Sequence, residues 1–398
     1  MIPGMQALGK PAWKRWSKII VFELCILAAL ALLFEASVRI ITPQVLTHDA
    51  PDLWQPDEAI GWRHRPNARV NINTGDRDVD ICIDQEGDRV SCLTGPTSPC
   101  PQKVLVVGDS YTEAVAVPFE QTVWHLLERD SGACYEVAGV EGYKPSQYRK
   151  LVHDRLSAQS ASIDLVVLNL YVGNDFSVAA DVIPPPSEVQ RRPLRLFPAG
   201  LREEHLRDWF YPYNQWLESR SHAYVGLRAS IRRIRSRGTN VEIWGFPIVL
   251  RPSWLTDEVL EPSLSPVRAV AENTGKAGVP VLVTLIPMRI QVLDPDGSET
   301  REAFPAYADD FDPDLSTKRI VPRLEEIPGI HLVDLLPGLR LKASREHWGN
   351  LDVHFSPGGH ELWFELVRSE VRNLLKNKGS SPGAGTVSGL TAEGGAAH

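Results

Sequence analysis

Four short segments hold the residue types from which acyl-transfer chemistry is built. They are Gly108-Asp109-Ser110-Tyr111-Thr112, Gly139-Val140-Glu141-Gly142-Tyr143, Gly173-Asn174-Asp175 and Asp352-Val353-His354-Phe355-Ser356-Pro357. A serine hydroxyl is a poor nucleophile until a base takes its proton, and a neutral imidazole is suited to that near pH 7. Ser110 and His354 are the candidate nucleophile and base. Asp352, the nearest carboxylate, is the candidate to hold the imidazole tautomer and stabilise the imidazolium. Attack on an acyl carbon also builds an oxyanion, which needs preorganised donors. The backbone N–H groups of Ser110 and Gly142 and the side-chain amide of Asn174 would supply three. Glycine at 142 lets the backbone approach a substrate closely.

Each segment alone also fits a bland role. Gly-Asp-Ser is an ordinary turn, Gly142 a tight turn, Asn174 a helix cap, and His354 a polar residue ahead of an N-cap. What favours a site is all four in this order, each at the end of a strand. KVLVV is an apolar run stopped by Gly108, and YEVAG is a second such run. DLVVLNLY reads as a strand buried on both faces, and VPVLVTLI and GIHLVDL follow later. Between them lie helical patterns in FEQTVWHLLER, SQYRKLVHDRL, residues 256–277 and a last helix from Pro357 to about Lys376, with Pro357 in its first turn. Strand–helix alternation predicts an α/β fold with a parallel sheet between helical layers. Ligands then bind outside the carboxyl ends of the strands, where the four segments fall.

GDSY, GVEGY, GND and DVHFSPGGH resemble blocks I, II, III and V of the SGNH (GDSL-type) hydrolases. The resemblance covers roughly residues 103–376 apart from an insertion at 181–238. It implies a flavodoxin-like three-layer α/β/α sandwich with strand order 2-1-3-4-5. It also implies Ser110 as nucleophile, Gly142 and Asn174 as oxyanion donors beside the Ser110 N–H, and Asp352 and His354 as the rest of the triad. Two positions depart from the family pattern. Asp352 lies two residues before the histidine where many members have three, a spacing similar to that of the alginate acetyltransferase-like branch, and Ala114 stands where many have glycine. In the implied 2-1-3 order the first two strands are neighbours, and Cys100 and Cys134 each precede one of them. A Cys100–Cys134 disulfide is therefore expected, leaving Cys82 and Cys92 to close a short hairpin. The α/β-hydrolase pattern does not fit, because Thr112 occupies the second glycine of Gly-x-Ser-x-Gly and acid and base are neighbours. His354 and His360 lack a third ligand, so no metal is expected, and no cofactor.

Ile19 to Ile41 is almost wholly apolar, and at 1.5 Å per residue it rises about 35 Å as a helix, enough to cross a bilayer core. Lys10, Lys14, Arg15 and Lys18 precede it without an acid, whereas Asp49, Asp52, Asp57 and Glu58 follow before Arg63. The Lys/Arg bias predicts residues 1–18 in the cytoplasm, a single span at 19–41, and everything after 42 outside an inner membrane. Glu35 and Arg39, four apart, are placed to pair on one helix face. A cleaved signal peptide is the competing reading, but the run is long for one, and Glu35 and Arg39 spoil a cleavage site after Ala36. Cys82, Cys92, Cys100 and Cys134 all fall in the exported part, where disulfides form.

Residues 43–102 read as a β-rich extension, 103–376 as the hydrolase domain, and 379–398 as a Gly/Ser/Ala-rich disordered tail. The insertion carries an aromatic cluster (Trp209, Phe210, Tyr211, Tyr213, Trp216) and a helix expected from Asn214 to Gly238. Its aromatics serve either a local core or a lid over the crevice. His347 and Trp348 either line the pocket or pack beneath it.

No Lys/Arg stripe stands out and the net charge is −8, which argues against a nucleic-acid partner. The expectation is a serine-dependent esterase for acyl, most simply acetyl, groups on an envelope or exported glycan. The alternatives are an O-acyltransferase served by an acyl-exporting membrane partner, a lipase or thioesterase, and a silent glycan-binding protein that keeps the fold.

Overall fold

The computed structural model describes residues 11–94, 100–159, 163–176, 203–235, 247–350 and 352–377. The tail at 379–398 and the PPP segment of the insertion lie outside these. Ten strands are described: β1 (Trp54–Asp57), β2 (Gly61–His64), β3 (Arg69–Asn73), β4 (Asp78–Ile83), β5 (Arg89–Val90), β6 (Lys103–Gly108), β7 (Cys134–Gly139), β8 (Leu165–Tyr171), β9 (Val281–Ile286) and β10 (Ile330–Asp334). The helices used as landmarks are α1 (Pro11–Ile41), α2 (Ser110–Glu113), α3 (Val123–Ser131), α4 (Pro145–Gln159), α5 (Glu203–Glu218), α6 (His222–Arg235), α7 (Asp257–Lys276), α8 (Leu335–Lys342) and α9 (Pro357–Lys376). The chain divides into two compact units, one of residues 1–46 with 198–235 and one of the remainder.

In the larger unit, β7, β6, β8, β9 and β10 lie side by side and parallel, which is the 2-1-3-4-5 order. Side chains alternate across a strand, so each apolar run feeds two cores. Leu105, Val107, Val166 and Leu168 meet Tyr148, Val152 and Leu156 of α4 and Leu264 and Val267 of α7 on one face. Val104, Val106, Leu165 and Val167 meet Val123, Trp124 and Leu127 of α3, Leu339 of α8, and Trp363 and Val367 of α9 on the other. Burial on both faces explains why these strands read as unbroken apolar runs.

The strands of the extension divide between two sheets. β5, β4 and β3 continue the main sheet antiparallel beyond β7, while β1 and β2 form a hairpin of their own. Arg155 of α4 holds this addition through a bidentate pair with the nearly inaccessible Asp88, at 2.6 and 2.8 Å. Disulfides join Cys82 to Cys92 and Cys100 to Cys134, with Cα separations of 5.3 and 5.7 Å. Cys25 is the free cysteine among the described residues.

In the smaller unit, α1 is long and apolar enough over Trp16–Ile41 to cross a membrane, and none of that stretch is buried. Arg39 pairs with Glu35 at 3.3 Å. Over the described residues the helix expected from Asn214 to Gly238 is instead two helices, α5 and α6, broken at residues 219–221, and its expected end at Gly238 lies outside them. Asn214 is not the N-cap. It lies inside α5, where its carbonyl oxygen accepts from Tyr224 and Arg228 across the hairpin at 2.7 Å each. Ser221 caps α6 instead, its hydroxyl accepting the Tyr224 N–H at 3.0 Å.

Candidate active site

β6 ends at Gly108 and the chain turns at once into α2, a single turn with Ser110 as its first residue. Asp109 makes that turn. Its carboxylate accepts the Tyr111 N–H at 3.0 Å and so serves as the N-cap. The turn sits tightly on β7, where a side chain at Gly139 would collide with the Glu113 backbone and Thr112. A short helix pressed against the sheet top leaves the half-buried Ser110 at the carboxyl end of β6.

His354 arrives on the loop before α9. Its Nε2 lies 2.8 Å from Ser110 Oγ, and its Nδ1 lies 2.7 Å from Asp352 Oδ1. With Nδ1–H donated to the carboxylate, neutral His354 presents the Nε2 lone pair to the serine hydroxyl. Several contacts fix the loop. Tyr111 donates its hydroxyl to the Val353 carbonyl at 2.9 Å and packs its ring 4.9 Å from the imidazole. Asp76 accepts the Asn350 and Asp352 N–H groups at 2.8 and 3.3 Å. Phe355 rests on Trp348, ring centroids 5.4 Å apart, so Trp348 packs beneath the site. His347 turns its Nδ1 to Ser344.

Burial alone would make His354 a weaker base, but the Asp352 carboxylate outweighs it and raises the imidazole to about 9. Burial likewise works to raise Asp352. The His354 charge and hydrogen bond, with help from Thr74, reverse that and hold the carboxyl below its usual value.

Gly142 has φ +76°, a conformation that favours glycine, and lies in the turn after β7. Asn174 follows β8, and its amide nitrogen donates to Asp109 Oδ2 at 2.7 Å. Asp109 therefore caps α2 and holds the Asn174 amide with one carboxylate. Among the described residues no protein acceptor takes the N–H of Ser110 or Gly142. Asn174 is thus tied to Asp109 beside Ser110, and the turn that carries Gly142 is tied to α2 through the Glu141 N–H and Glu113.

Three supports have no counterpart in the sequence motifs. Glu113, fully buried, accepts the Glu141 N–H on one oxygen and meets His64 Nε2 at 2.8 Å with the other. His64 Nδ1 faces the Gly87 carbonyl at 3.0 Å and so carries a proton. The pair locks the glycine turn of residues 140–143 to α2. Arg89, 1% exposed, donates to the carbonyls of Glu113, Ala114 and Val117, the last at 2.6 Å, and closes the C-terminal end of that helix. Trp62 Nε1 donates to the Glu141 carbonyl at 3.0 Å. His64, Arg89 and Trp62 all come from the β-rich extension, which thus frames the site. Glu141 itself is raised to about 8, first by burial and then by the neighbouring Glu113. Among the described residues no His, Cys, Asp and Glu group is arranged to hold a metal.

The chain is similar to several solved structures. TesA is 15% identical, with 69% of this chain and 99% of that one covered and a TM-score of 0.33. A catalytic mutant of Axe2, an acetylxylan esterase from Geobacillus stearothermophilus, is 13% identical over 68% and 94%, with a TM-score of 0.33. The lipase/acylhydrolase from Enterococcus faecalis is 14% identical over 68% and 96%, with a TM-score of 0.32. No protein-family model and no curated protein matches the chain.

Proposed function

We propose that the protein is a serine-dependent carboxylic ester hydrolase that works through an acyl-serine intermediate. The observation that carries this is the continuous contact from Ser110 Oγ through His354 to Asp352, at 2.8 and 2.7 Å. His354 takes the hydroxyl proton as Ser110 attacks the acyl carbon. The developing oxyanion is met by the N–H groups of Ser110 and Gly142 and by the Asn174 amide. The imidazolium then returns its proton to the leaving oxygen, and water repeats the sequence to free the acid.

In this reading α1 anchors the chain in an inner membrane with the catalytic unit outside it. The apolar length of α1 and the Lys/Arg bias before it support the anchor, and the two disulfides suit an oxidising compartment. The substrate class is an acyl ester on an exported glycan, with acetyl the simplest group. The test is turnover of an aryl acetate and of acetylated glycans by wild type and Ser110→Ala. Wild type is expected to release acid and the variant to lose turnover while keeping its fold. Undiminished release by folded Ser110→Ala would end the proposal.

A further inference from the structure

Glu35 is an acid inside an apolar segment, and the smaller unit shows what it does there. Its Oε1 accepts the His222 N–H at 2.9 Å, and its Oε2 accepts the Ala223 N–H at 2.9 Å and the Ser221 hydroxyl at 2.8 Å. Arg39 donates to the Arg220 carbonyl at 3.0 Å, and the Gln44 N–H donates to His222 Nδ1 at 2.8 Å. The first turn of α6 is thereby clamped to α1, its unpaired N–H groups given a carboxylate in place of water.

The clamp fixes depth. Glu35 precedes Ile41, the end of the apolar stretch, by six residues, about 9 Å along a helix. Gln44, beyond that end, lies beside Gly226 and bonds His222, so α6 leaves the clamp in the outward direction. The α5–α6 turn is then the innermost part of the hairpin. Its side chains suit a bilayer boundary. Trp216 is 49% exposed, and the exposed Arg220 holds its guanidinium 5.5 Å over the Trp216 ring. Tryptophan and snorkelling arginine are the side chains that settle at headgroup level. Backbone groups can enter that depth when protein partners satisfy them, which Glu35 and Arg39 do here.

We propose that the turn from Trp216 to His222 dips into the outer headgroup region of the bilayer that α1 crosses. Trp216 lies against the acyl-chain boundary, and Arg39 and Arg220 face lipid phosphates. The proposal rests on the anchoring of α1 given above. It makes the insertion a membrane-seated strut on the anchor, with phospholipid as its partner.

The test uses the full chain in phosphatidylcholine/phosphatidylglycerol vesicles, labelled on cysteine with an environment-sensitive fluorophore. Cys25, the free cysteine among the described residues, reports on α1. Two further chains carry Cys25→Ser with Trp216→Cys or with Ile231→Cys, both replacing exposed side chains. Quenching by a shallow nitroxide lipid is compared with quenching by aqueous iodide. The expected result at 216 is blue-shifted emission, strong lipid quenching and loss of iodide quenching, with iodide access restored at 231. Iodide access at 216 with a shielded Cys25 label would overturn the proposal while leaving the anchor standing, as a protein partner for this face would require. Equal shielding at 216 and 231 would contradict the turn-first orientation. An iodide-accessible Cys25 label would remove anchor and proposal together.

Discussion

The pairing of His354 with Asp352 makes a quantitative demand on the pH dependence of catalysis. The carboxylate lies 2.7 Å from Nδ1 and raises the imidazole from 6.5 to about 9 despite burial. At about 1.4 kcal/mol per pH unit this is roughly 3 kcal/mol of preference for the imidazolium. The base in the proposed mechanism is the neutral ring. The kcat/KM of the free enzyme should therefore rise with pH and level off only as pH passes the raised value, well above 6.5. Asp352→Asn keeps the shape but removes the main charge that opposes burial, leaving only the weaker pull of Asp109 and Glu141, so the limb should move down towards 6.5. The plateau should fall as well, by as much as about 10⁴, because the amide no longer holds the reactive tautomer. The assay is initial-rate hydrolysis of an aryl acetate between pH 5 and 10 in buffers of constant ionic strength. A wild-type limb at or below 6.5, or an Asp352→Asn limb that does not move, would refute the electrostatic reasoning.

Other outcomes follow from single contacts. Asn174→Ala should lower kcat by roughly 10²–10³ with little change in KM, and a loss below about tenfold would remove Asn174 from the oxyanion site. Asp109→Ala should reproduce much of that loss, since Asp109 aims the Asn174 amide, and unchanged kcat would show the 2.7 Å contact to be catalytically idle. Opening the Cys100–Cys134 bridge, which closes a sequence separation of 34, should cost about 4 kcal/mol of unfolding free energy, read from denaturant midpoints of Cys100→Ser/Cys134→Ser. His360 is buried, accepts the Val123 N–H at 3.3 Å and is lowered to about 3, chiefly by burial. The folded state thus resists its protonation. Its contribution is fully present above the unfolded value of 6.5 and is lost at up to about 1.4 kcal/mol per unit as pH falls towards 3. A urea midpoint whose pH slope is the same in wild type and His360→Gln would show that the ring is not responsible.

How legible these features are in the sequence depends on how far apart their causes lie. Ser110, Gly142, Asn174 and His354, the residues proposed for catalysis, stand out in the sequence because few residue types serve each proposed role and each follows an apolar run that ends in a turn. The two-sided burial of β6 and β8 is readable for the same local reason. Asp352 is the nearest acid and sits where the chemistry needs it. The supports are different. Arg89 is a charged residue in a two-residue strand, indistinguishable locally from a surface position, and its value lies in carbonyls 24 to 28 residues away. His64 and Glu113 are 49 residues apart, and Asp76 reaches a loop 274 residues on. No periodicity links such pairs. The joining of β5 to β7 rests on one described residue pair, Arg89 with Val137, so composition marks the segment as β-rich without saying which sheet it enters. The break between α5 and α6 is hidden because Asn214 is a good cap by type, whereas the cap that forms at Ser221 is completed by Glu35, 186 residues earlier.

The central claim is that Ser110 carries the acyl group, and trapping that intermediate tests it most directly. The full-length protein, mixed with an aryl acetate and quenched in acid within one turnover, is digested and mapped by mass spectrometry. The account predicts one acetyl group on Ser110, absent in Ser110→Ala and accumulating more slowly in His354→Ala. Turnover with no acetyl on Ser110, or an acetyl group carried with equal speed by another residue, would contradict it.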